Sequence, residues 1–370
     1  MRYSVTLLTL LGAALWLAGC HGTTSPALPY PAVGVAPEAR GIAAQPACSG
    51  PRFGQAQCDV LVEADGAHPT SAGFTASELE TAYRFPIARG QNQTVAVVDA
   101  YDNPNAGDDF ATYRSTMGLS AGTLNKYNQK GQKANYPPAS AGWGVEIDLD
   151  TEMVSASCPK CTVDLIEANS NTWSDIQAAE AEAVTLGATI VSNSFDGTGA
   201  SESSFDTKGI TYVASAGDDG YGLYDPAGFD RVVAVGGTML SQANNRRGYK
   251  EILWPDSGGG CASQEKKPRW QMHRKVASKC AGRLGNDVSA DAVGASEYDT
   301  YNEGGWIEVD GTSISASLLA GAFGLAENST KQDGGRTFWE TAHHRFLHEL
   351  GGKRFTGVGG WGSPHGIGAF

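Results

Sequence analysis

Short apolar segments rich in β-branched residues alternate with amphipathic segments through the middle of this 370-residue chain. Residues 94–98 end at Asp99 and have the composition of a strand that is buried on both faces. Further strands are predicted over residues 162–168, 189–195, 210–216 and 231–236, and helices over residues 76–84, 108–117, 144–157 and 174–186. This alternation predicts an α/β fold with a mostly parallel β-sheet flanked by helices.

Two stretches lack such a pattern. Residues 125–141 are predicted to form a loop. Residues 241–311 include Gly258-Gly259-Gly260 and few periodic runs, so we expect long surface loops there.

The first twenty residues predict export. Met1-Arg2 gives a positive start, residues 5–16 form an apolar run too short to span a bilayer, and Leu17-Ala18-Gly19-Cys20 closes it. These last four residues resemble a bacterial lipobox, which implies cleavage before Cys20 and lipid attachment to that cysteine. An ordinary secretory signal with a chance cysteine is the alternative. We therefore expect an exported protein, either lipid-anchored at the outer membrane or periplasmic face of the bacterial envelope or extracellular.

The chain divides into three parts on composition. Residues 1–19 are the predicted signal peptide, and residues 20–72, rich in Pro, Ala, Gly and Ser, are predicted to be a flexible tether. Residues 73–370 are predicted to form the folded domain. The formal net charge of −13 argues against a nucleic-acid partner. We expect a monomer that meets the membrane only through its lipid.

Six cysteines remain if Cys20 carries lipid, and an oxidising compartment favours their pairing. Proximity in sequence favours three pairs among the 15 that six cysteines allow. These are Cys48 with Cys58, Cys158 with Cys161, and Cys261 with Cys280. A single C-x-x-C without a second pair is weak evidence for zinc, so structural disulfides are predicted.

A candidate nucleophile lies in Gly311-Thr312-Ser313, a small-residue turn that leads into an apolar helix. Such a turn places the Ser313 hydroxyl where backbone N–H groups and the helix dipole can stabilise an oxyanion. Taken alone, the pattern favours a simpler interpretation, in which Thr312 or Ser313 caps the helix.

The candidate base is a carboxylate, because no histidine occurs between residues 69 and 272 and His273, which could serve in principle, lies in a basic loop where a solvated side chain is expected. Glu146 and Asp150 are spaced i, i+4 and share one face of the predicted helix, where one carboxyl can accept a proton and the other can support it. Asp148 and Glu152 have the same spacing. Spacing alone does not select either pair, and it favours acidic helix faces that are simply solvated. Asp218, in a turn after a predicted strand, could donate to an oxyanion when protonated, although turn aspartates are common.

Together these pieces resemble the sedolisins, the serine-carboxyl peptidases with a subtilisin-like fold. The resemblance covers roughly residues 74–328 and the last ten residues. It is carried by the segment 143–150, the turn at 217–218, the segments 224–227, 233–238, 258–261, 267–271 and 287–291, and the turn at 311–313. It implies an acid-acting endopeptidase in which Glu146 is the base for Ser313, Asp150 assists Glu146, and Asp218 stabilises the oxyanion. It also implies that Ser192, Asn193 and Ser194 pair with the backbone of a bound peptide.

The sequence departs from the sedolisin pattern in three places. Ser317 stands where the family usually has proline, residues 20–94 leave no room for a long prodomain, and no aspartate follows Asp333 to ligate the calcium ion of the family. We therefore expect a degenerate calcium site, with no metal and no cofactor. His343, His344 and His348 are predicted to lie on a solvated helical face. The alternative function is a catalytically impaired surface lipoprotein that uses a peptidase fold for binding.

Overall fold

The computed structural model describes residues 44–50, 53–63, 67–68, 70–71, 73–340 and 342–370, all within the compact unit Arg40–Phe370. Its strands are β1 Gln45–Pro46, β2 Ala56–Cys58, β3 Leu61–Val62, β4 Thr94–Ala100, β5 Thr123–Asn128, β6 Thr162–Ala168, β7 Ile190–Asn193, β8 Phe195–Gly197, β9 Thr211–Ser215, β10 Val232–Gln242, β11 Tyr249–Leu253, β12 Gly260–Lys266, β13 Gly282–Gly285, β14 Val288–Asp291, β15 Val293–Asp299, β16 Gly305–Asp310, β17 Leu347–His348 and β18 Ser363–Pro364. Its α-helices are α1 Ala76–Tyr83, α2 Ala106–Thr116, α3 Ala141–Ser157, α4 Trp173–Thr185, α5 Thr312–Ala326 and α6 Arg336–Trp339.

An eight-stranded sheet forms the centre of the fold. Its order is β11-β10-β9-β7-β4-β6-β5, and β14 also pairs with β10. Every pair in this sheet is parallel except the antiparallel pair of β10 and β11. The inner strands β4, β6, β7 and β9 are almost entirely buried, because helices flank the sheet as they do in other parallel sheets. The predicted α/β class and mostly parallel sheet are confirmed.

Helices α3 and α5 pack against each other and against the central sheet. All but one residue of α5, and all but the first two of α3, are buried. Burial on every side removes the amphipathic pattern that a surface helix shows. These two helices bring residues 146–152 close to the start of α5, although more than 160 residues separate them in the chain.

Gly321 sets how closely α3 and α5 approach. A Cβ atom at this position would lie 1.9 Å from Ser157 Oγ and 3.0 Å from the Val154 carbonyl oxygen. We therefore expect Gly321→Ala to lower the free energy of unfolding by about 1–3 kcal/mol through overpacking, despite the better helix propensity of alanine. Chemical denaturation measures this change. Gly107→Ala in α2 is the matched control, because its added Cβ meets no atom within 4 Å; equal stability losses in the two variants would contradict the prediction.

Both stretches predicted to be irregular contain strands, so those predictions were wrong. Strand β5 occupies part of residues 125–141 and is a half-exposed edge strand, which explains its mixed composition. Residues 241–311 contain β11 to β16. Several of these strands bury polar side chains, including Asp291, Glu297 and Asp299, and therefore lack the apolar alternation that identifies a strand.

The described part of the predicted tether is ordered against the domain. Strand β2 pairs with β8, and β3 pairs with β1 and β16. Cys48, Cys58 and Val60 are buried in the main hydrophobic core. Residues 44–50 and 53–63 therefore lie against the domain, because backbone pairing and a few buried side chains fix a segment whose composition favours flexibility. Cys20 and the signal-peptide prediction lie outside the described residues.

The three disulfides join the cysteines that were predicted to pair. Their Cα–Cα distances are 5.8 Å for Cys48–Cys58, 5.4 Å for Cys158–Cys161 and 5.6 Å for Cys261–Cys280. None of the helices in the described part of the chain is both long and apolar enough to cross a bilayer.

The histidines near the carboxyl terminus do not share one helix, in contrast to the prediction. His344 stacks on Trp361, with 3.9 Å between ring centroids, and His348 stacks on His365 at 4.7 Å. His348 lies in β17. Ring stacking, which sequence spacing does not reveal, holds these side chains against the carboxyl-terminal segment.

Candidate active site

Ser313 lies in the first turn of α5 and is completely buried. Helix α5 begins after Gly311, which has a φ of 143° and leaves no room for a Cβ, since such an atom would lie 2.2 Å from the Asp59 carbonyl oxygen. Gly311 is the N-cap residue, so the interpretation of Thr312 or Ser313 as the cap is wrong. The Ser313 hydroxyl instead donates to the Asp59 carbonyl oxygen at 2.7 Å, and the Ser313 backbone N–H donates to the same oxygen at 3.4 Å.

Glu146 and Asp150 lie one turn apart on the buried face of α3 that faces α5. Asp150 Oδ1 accepts hydrogen bonds from Ser194 Oγ and Ser317 Oγ, both at 2.7 Å. Ser317, which stands at the usual proline position, therefore supports the carboxyl pair. Burial raises the pKa of Glu146 well above its usual value, Asp150 and Asp99 raise it further, and the neighbouring Ser313 hydroxyl lowers it. Burial also raises the pKa of Asp150, to about 7, against the lowering effect of its two serine donors.

Glu146 lies close enough to Ser313 for the serine hydroxyl to lower its pKa. Both Glu146 carboxylate oxygens are buried, and the Ser313 hydroxyl donates to the Asp59 carbonyl oxygen. Rotation of that hydroxyl would be required before Glu146 could accept its proton. No histidine is among the groups that shift the pKa of Glu146 or Asp218.

Asp218 completes the site from the turn after β9. Its Oδ1 accepts from the Thr312 backbone N–H at 2.8 Å and from Thr312 Oγ1 at 2.9 Å, while its Oδ2 is buried without a partner. Asp218 Oδ2 and the Asp59 carbonyl oxygen lie on the same side of Gly311. A Cβ atom added to Gly311 would be 3.0 Å from Asp218 Oδ2 and 2.2 Å from the Asp59 carbonyl oxygen. Burial raises the pKa of Asp218 well above its usual value, and the two hydrogen bonds from Thr312 lower it.

Asp99 is a fourth carboxyl group that the sequence interpretation left without a role. It lies near the end of β4, and both its oxygens are buried without a partner. Burial, then Asp150 and Glu167, raise its pKa well above the usual value. Its position at the carboxyl end of a central parallel strand was the available signal.

The second acidic pair of α3 faces away from Ser313. Asp148 Oδ2 accepts from Asn103 Nδ2 at 2.6 Å, and Glu152 Oε2 accepts from the Tyr298 backbone N–H at 3.1 Å. Both side chains are fully buried, so the expectation of solvated acidic faces is wrong for both pairs. Packing against α2 and β15 on one side, and against α5 on the other, separates the two pairs.

One group of described carboxylates has the geometry to hold a cation. Oxygens of Asp109, Asp148 and Asp299 lie within 4.8 Å of one another, and all three residues are buried. Hard cations such as Ca²⁺ prefer oxygen ligands of this kind. The group lies on the side of α3 that faces away from Ser313.

The carboxyl-terminal segment fits calcium poorly. Among the described carboxylate residues beside it, Glu251 accepts from Ser363 Oγ and pairs with Arg247, and Asp287 accepts from the Trp361 N–H through its backbone carbonyl at 3.0 Å. The carboxylate of Asp287 already accepts from Arg283 at 2.5 Å, Ala234 N–H at 2.8 Å and Trp339 Nε1 at 2.8 Å. The Arg283 guanidinium thus supplies the positive charge that a bound cation would otherwise supply. The absence of a cofactor stays a prediction.

The peptide-pairing strand begins later than predicted. Ser192 and Asn193 lie inside the central sheet, where β4 and β9 pair with both sides of β7. Ser194, which follows β7, pairs with a segment outside the central sheet, since its carbonyl oxygen accepts from the Asp59 N–H at 3.2 Å. Strand β8 then pairs antiparallel with β2. Residues 194–197 therefore form the edge beside Ser313 that β2 and Asp59 occupy, because the backbone groups of Ser192 and Asn193 are already used within the sheet.

The parallel sheet, the serine at the start of α5 and the adjoining buried carboxyls define the fold of a serine peptidase. The chain belongs to the subtilase family, whose sequence profile matches residues 149–362. That match includes Asp150, Asp218 and Ser313, and begins three residues after Glu146.

Similarity to sedolisins is found in both sequence and structure. The chain is 25% identical to sedolisin of Pseudomonas sp. (strain 101) over 357 residues. This alignment covers 81% of this chain and 60% of that protein. It is 30% identical over 127 residues to xanthomonalisin of Xanthomonas sp. (strain T-22), covering 30% of this chain and 15% of that protein. The resemblance to the sedolisins is thereby confirmed, although the chain spans only about 60% of the length of its sedolisin relative.

Two solved structures share the fold. Pseudomonas sedolisin, a serine-carboxyl proteinase complexed with pseudo-iodotyrostatin, superposes with a TM-score of 0.66 and 22% identity, over 80% of this chain and 96% of that one. Fervidolysin from Fervidobacterium pennivorans, a keratinolytic enzyme related to subtilisin, gives a TM-score of 0.51 and 15% identity, over 76% of this chain and 42% of that one.

Proposed function

We propose that this protein is an acid-acting serine-carboxyl endopeptidase that cleaves peptide bonds through an acyl-enzyme on Ser313. The observation that supports this function best is a polypeptide backbone beside the nucleophile. Strand β2 lies along β8, and the carbonyl oxygen of Asp59 accepts from Ser313 Oγ at 2.7 Å. The groove between β8 and Ser313 therefore has the shape and hydrogen-bonding groups to hold an extended peptide with a carbonyl group at the serine.

Each carboxyl group has a separate role in this mechanism. Glu146 accepts the Ser313 proton as the serine attacks, and Asp150, held by Ser194 and Ser317, supports Glu146. A protonated Asp218, through its unpartnered Oδ2, donates to the oxyanion together with the Ser313 backbone N–H. Loss of one such donor typically costs about 3 kcal/mol in the transition state.

The expected pH dependence follows from these roles. The active form needs a proton on Asp218 and a net negative charge on the Glu146–Asp150 pair. Burial raises the pKa of Asp218, so its proton is kept well above the pH at which an exposed aspartate ionises. Activity should fade as the pH rises through this raised pKa. We therefore expect a bell-shaped profile, whose acid limb is set by the first ionisation of the Glu146–Asp150 pair and whose alkaline limb is set by Asp218.

A pH series with a matched pair of variants tests the proposal. The purified full chain is preincubated at acid pH and then given a denatured protein substrate between about pH 3 and pH 8. Glu146→Gln is expected to lower the cleavage rate by about 10²- to 10⁴-fold, because the amide cannot accept the serine proton. Glu152→Gln changes a buried glutamate on the opposite side of α3 and should retain activity. Equal rates in the two variants would contradict the assignment of Glu146.

Substrate and location follow as parts of the same proposal. The substrates are peptides or proteins, and the predicted lipid on Cys20 would hold the enzyme at the bacterial envelope as a monomer. The alternative, a binding protein with an impaired peptidase fold, predicts that the purified chain binds denatured protein at acid pH without cleaving it. The same pH series separates the two functions.

A further inference from the structure

Residues 55–62 lie in the groove of the candidate active site as an extended peptide would. Gln57 lies opposite Asp196 in the antiparallel pairing of β2 with β8. The Asp59 N–H donates to the Ser194 carbonyl oxygen at 3.2 Å, and the Asp59 carbonyl oxygen accepts from Ser313. The carbonyl carbon of Asp59 is about 1.2 Å from that oxygen, so it lies next to the nucleophile.

The chain is held on both sides of the Asp59–Val60 peptide bond. On the amino side, Cys58 is joined to Cys48 and pairs with Phe195. On the carboxyl side, the Val60 carbonyl oxygen accepts from the Ala47 N–H at 3.0 Å, and β3 pairs with β16. Contacts of this kind keep a single bond in place over Ser313, which is the positioning that a peptidase requires of its substrate.

The Asp59 side chain is buried in a polar pocket. Its Oδ2 accepts from Ser215 Oγ at 2.5 Å, and only 3% of the residue is exposed. The charged groups that shift its pKa are the carboxyls of Asp196, Asp218 and Asp219, and none of them is a cation. An ionised side chain would be repelled there, whereas a protonated acid or an amide can hydrogen-bond with the pocket.

We propose that the active site selects a short acid or amide side chain, aspartic acid or asparagine, on the acyl side of the bond it cleaves, and that Asp59–Val60 of this chain is such a bond. The proposal rests on the proposed function and adds a substrate class and an internal cleavage site to it.

The reaction balances with water as its only co-reactant. Ser313 Oγ bonds to the Asp59 carbonyl carbon and passes its proton to Glu146. The bond from that carbon to the Val60 nitrogen breaks, the nitrogen takes the proton, and Val60 becomes a new amino terminus. Water then hydrolyses the Asp59 ester on Ser313, which restores the serine hydroxyl and leaves a free Asp59 carboxyl group.

The internal cut has a distinctive product. Cys48 and Cys58 both precede the bond, while the other two disulfides follow it. Cleavage therefore yields two pieces that no disulfide joins, which separate in denaturing electrophoresis without reductant. Incubation of the purified full chain at acid pH is expected to produce a fragment whose amino-terminal sequence begins Val60-Leu61-Val62. Ser313→Ala should stay intact at this bond.

Variants of Asp59 test the pocket. Asp59→Asn is expected to keep self-cleavage within a few fold, whereas Asp59→Leu and Asp59→Lys should slow it at least tenfold. Phe53→Ala changes an exposed side chain that precedes the paired segment and should cleave like the unchanged chain. Denaturation curves for every variant check that the fold is retained.

Peptides supplied from outside test selectivity without altering the protein. Four peptides identical except for Asp, Asn, Leu or Lys at the acyl position are compared by kcat/KM on chain preincubated at acid pH. The Asp and Asn peptides should be cleaved at least tenfold faster than the other two. If denatured protein is cleaved but no fragment begins at Val60, or if the four peptides react equally, this inference is wrong and the proposed function stands. If no substrate is cleaved by the chain or by any Asp59 variant, the proposed function itself fails.

Discussion

Replacing Ser313 with alanine is expected to reduce peptide hydrolysis by the chain on the order of 10⁴- to 10⁶-fold, because the acyl-enzyme can no longer form. The loss should appear in kcat, with little change in KM. The groove contacts made by the backbone of residues 194–197 and by Ser215 do not involve the Ser313 hydroxyl. The measurement is the initial rate of cleavage of a denatured protein or peptide substrate at the pH of maximal activity.

A neighbouring serine provides the control for that result. Ser315 is also fully buried near the start of α5, and its Oγ donates to the Ala290 and Asp291 carbonyl oxygens, both at 2.9 Å. Ser315→Ala removes the same atom from the same helix without touching the carboxyl groups, so activity should be retained. If Ser313→Ala continues to cleave at the unchanged rate, Ser313 is not the nucleophile.

The folded protein is expected to be most stable at acid pH and to lose stability as the pH approaches neutrality. Burial raises the pKa of Asp150 from 3.8 to about 7 in the folded chain. A raised folded-state pKa contributes stability that is fully present below about pH 4 and is lost as the pH rises to about 7. Glu146, Asp218 and Asp99 act in the same direction because their pKa values are also raised.

Urea denaturation at a series of pH values between 4 and 8 measures this effect. Asp150→Asn replaces the ionisable group with a permanently neutral amide, so its free energy of unfolding should fall less steeply over the interval. Asp108→Asn changes an exposed carboxyl on α2 and should follow the unchanged protein. Stability that rises from pH 4 to pH 8 would show that these carboxyls are not buried as the structure has them.

The α/β class and the main strands were predictable because their signal is local. The run at residues 94–98 that became β4 is apolar along its whole length, as a strand covered by helices on both faces must be. The pairs Cys48–Cys58 and Cys261–Cys280 are close in sequence, and the structure joins them. Strands such as β15 were not predictable, since Glu297 and Asp299 occupy buried positions that usually carry apolar residues.

The sequence by itself predicted a carboxylate as the base, because no histidine lies between residues 69 and 272, and it offered two equally spaced acidic pairs on one helix. The tertiary structure decided between them: α3 is buried on all sides, and only the face with Glu146 and Asp150 meets α5, while Asp148 and Glu152 face α2 and β15. It also placed Asp59 at Ser313 across 254 residues of sequence. Such a contact is set by how strands and helices pack, and no local pattern in either segment encodes it.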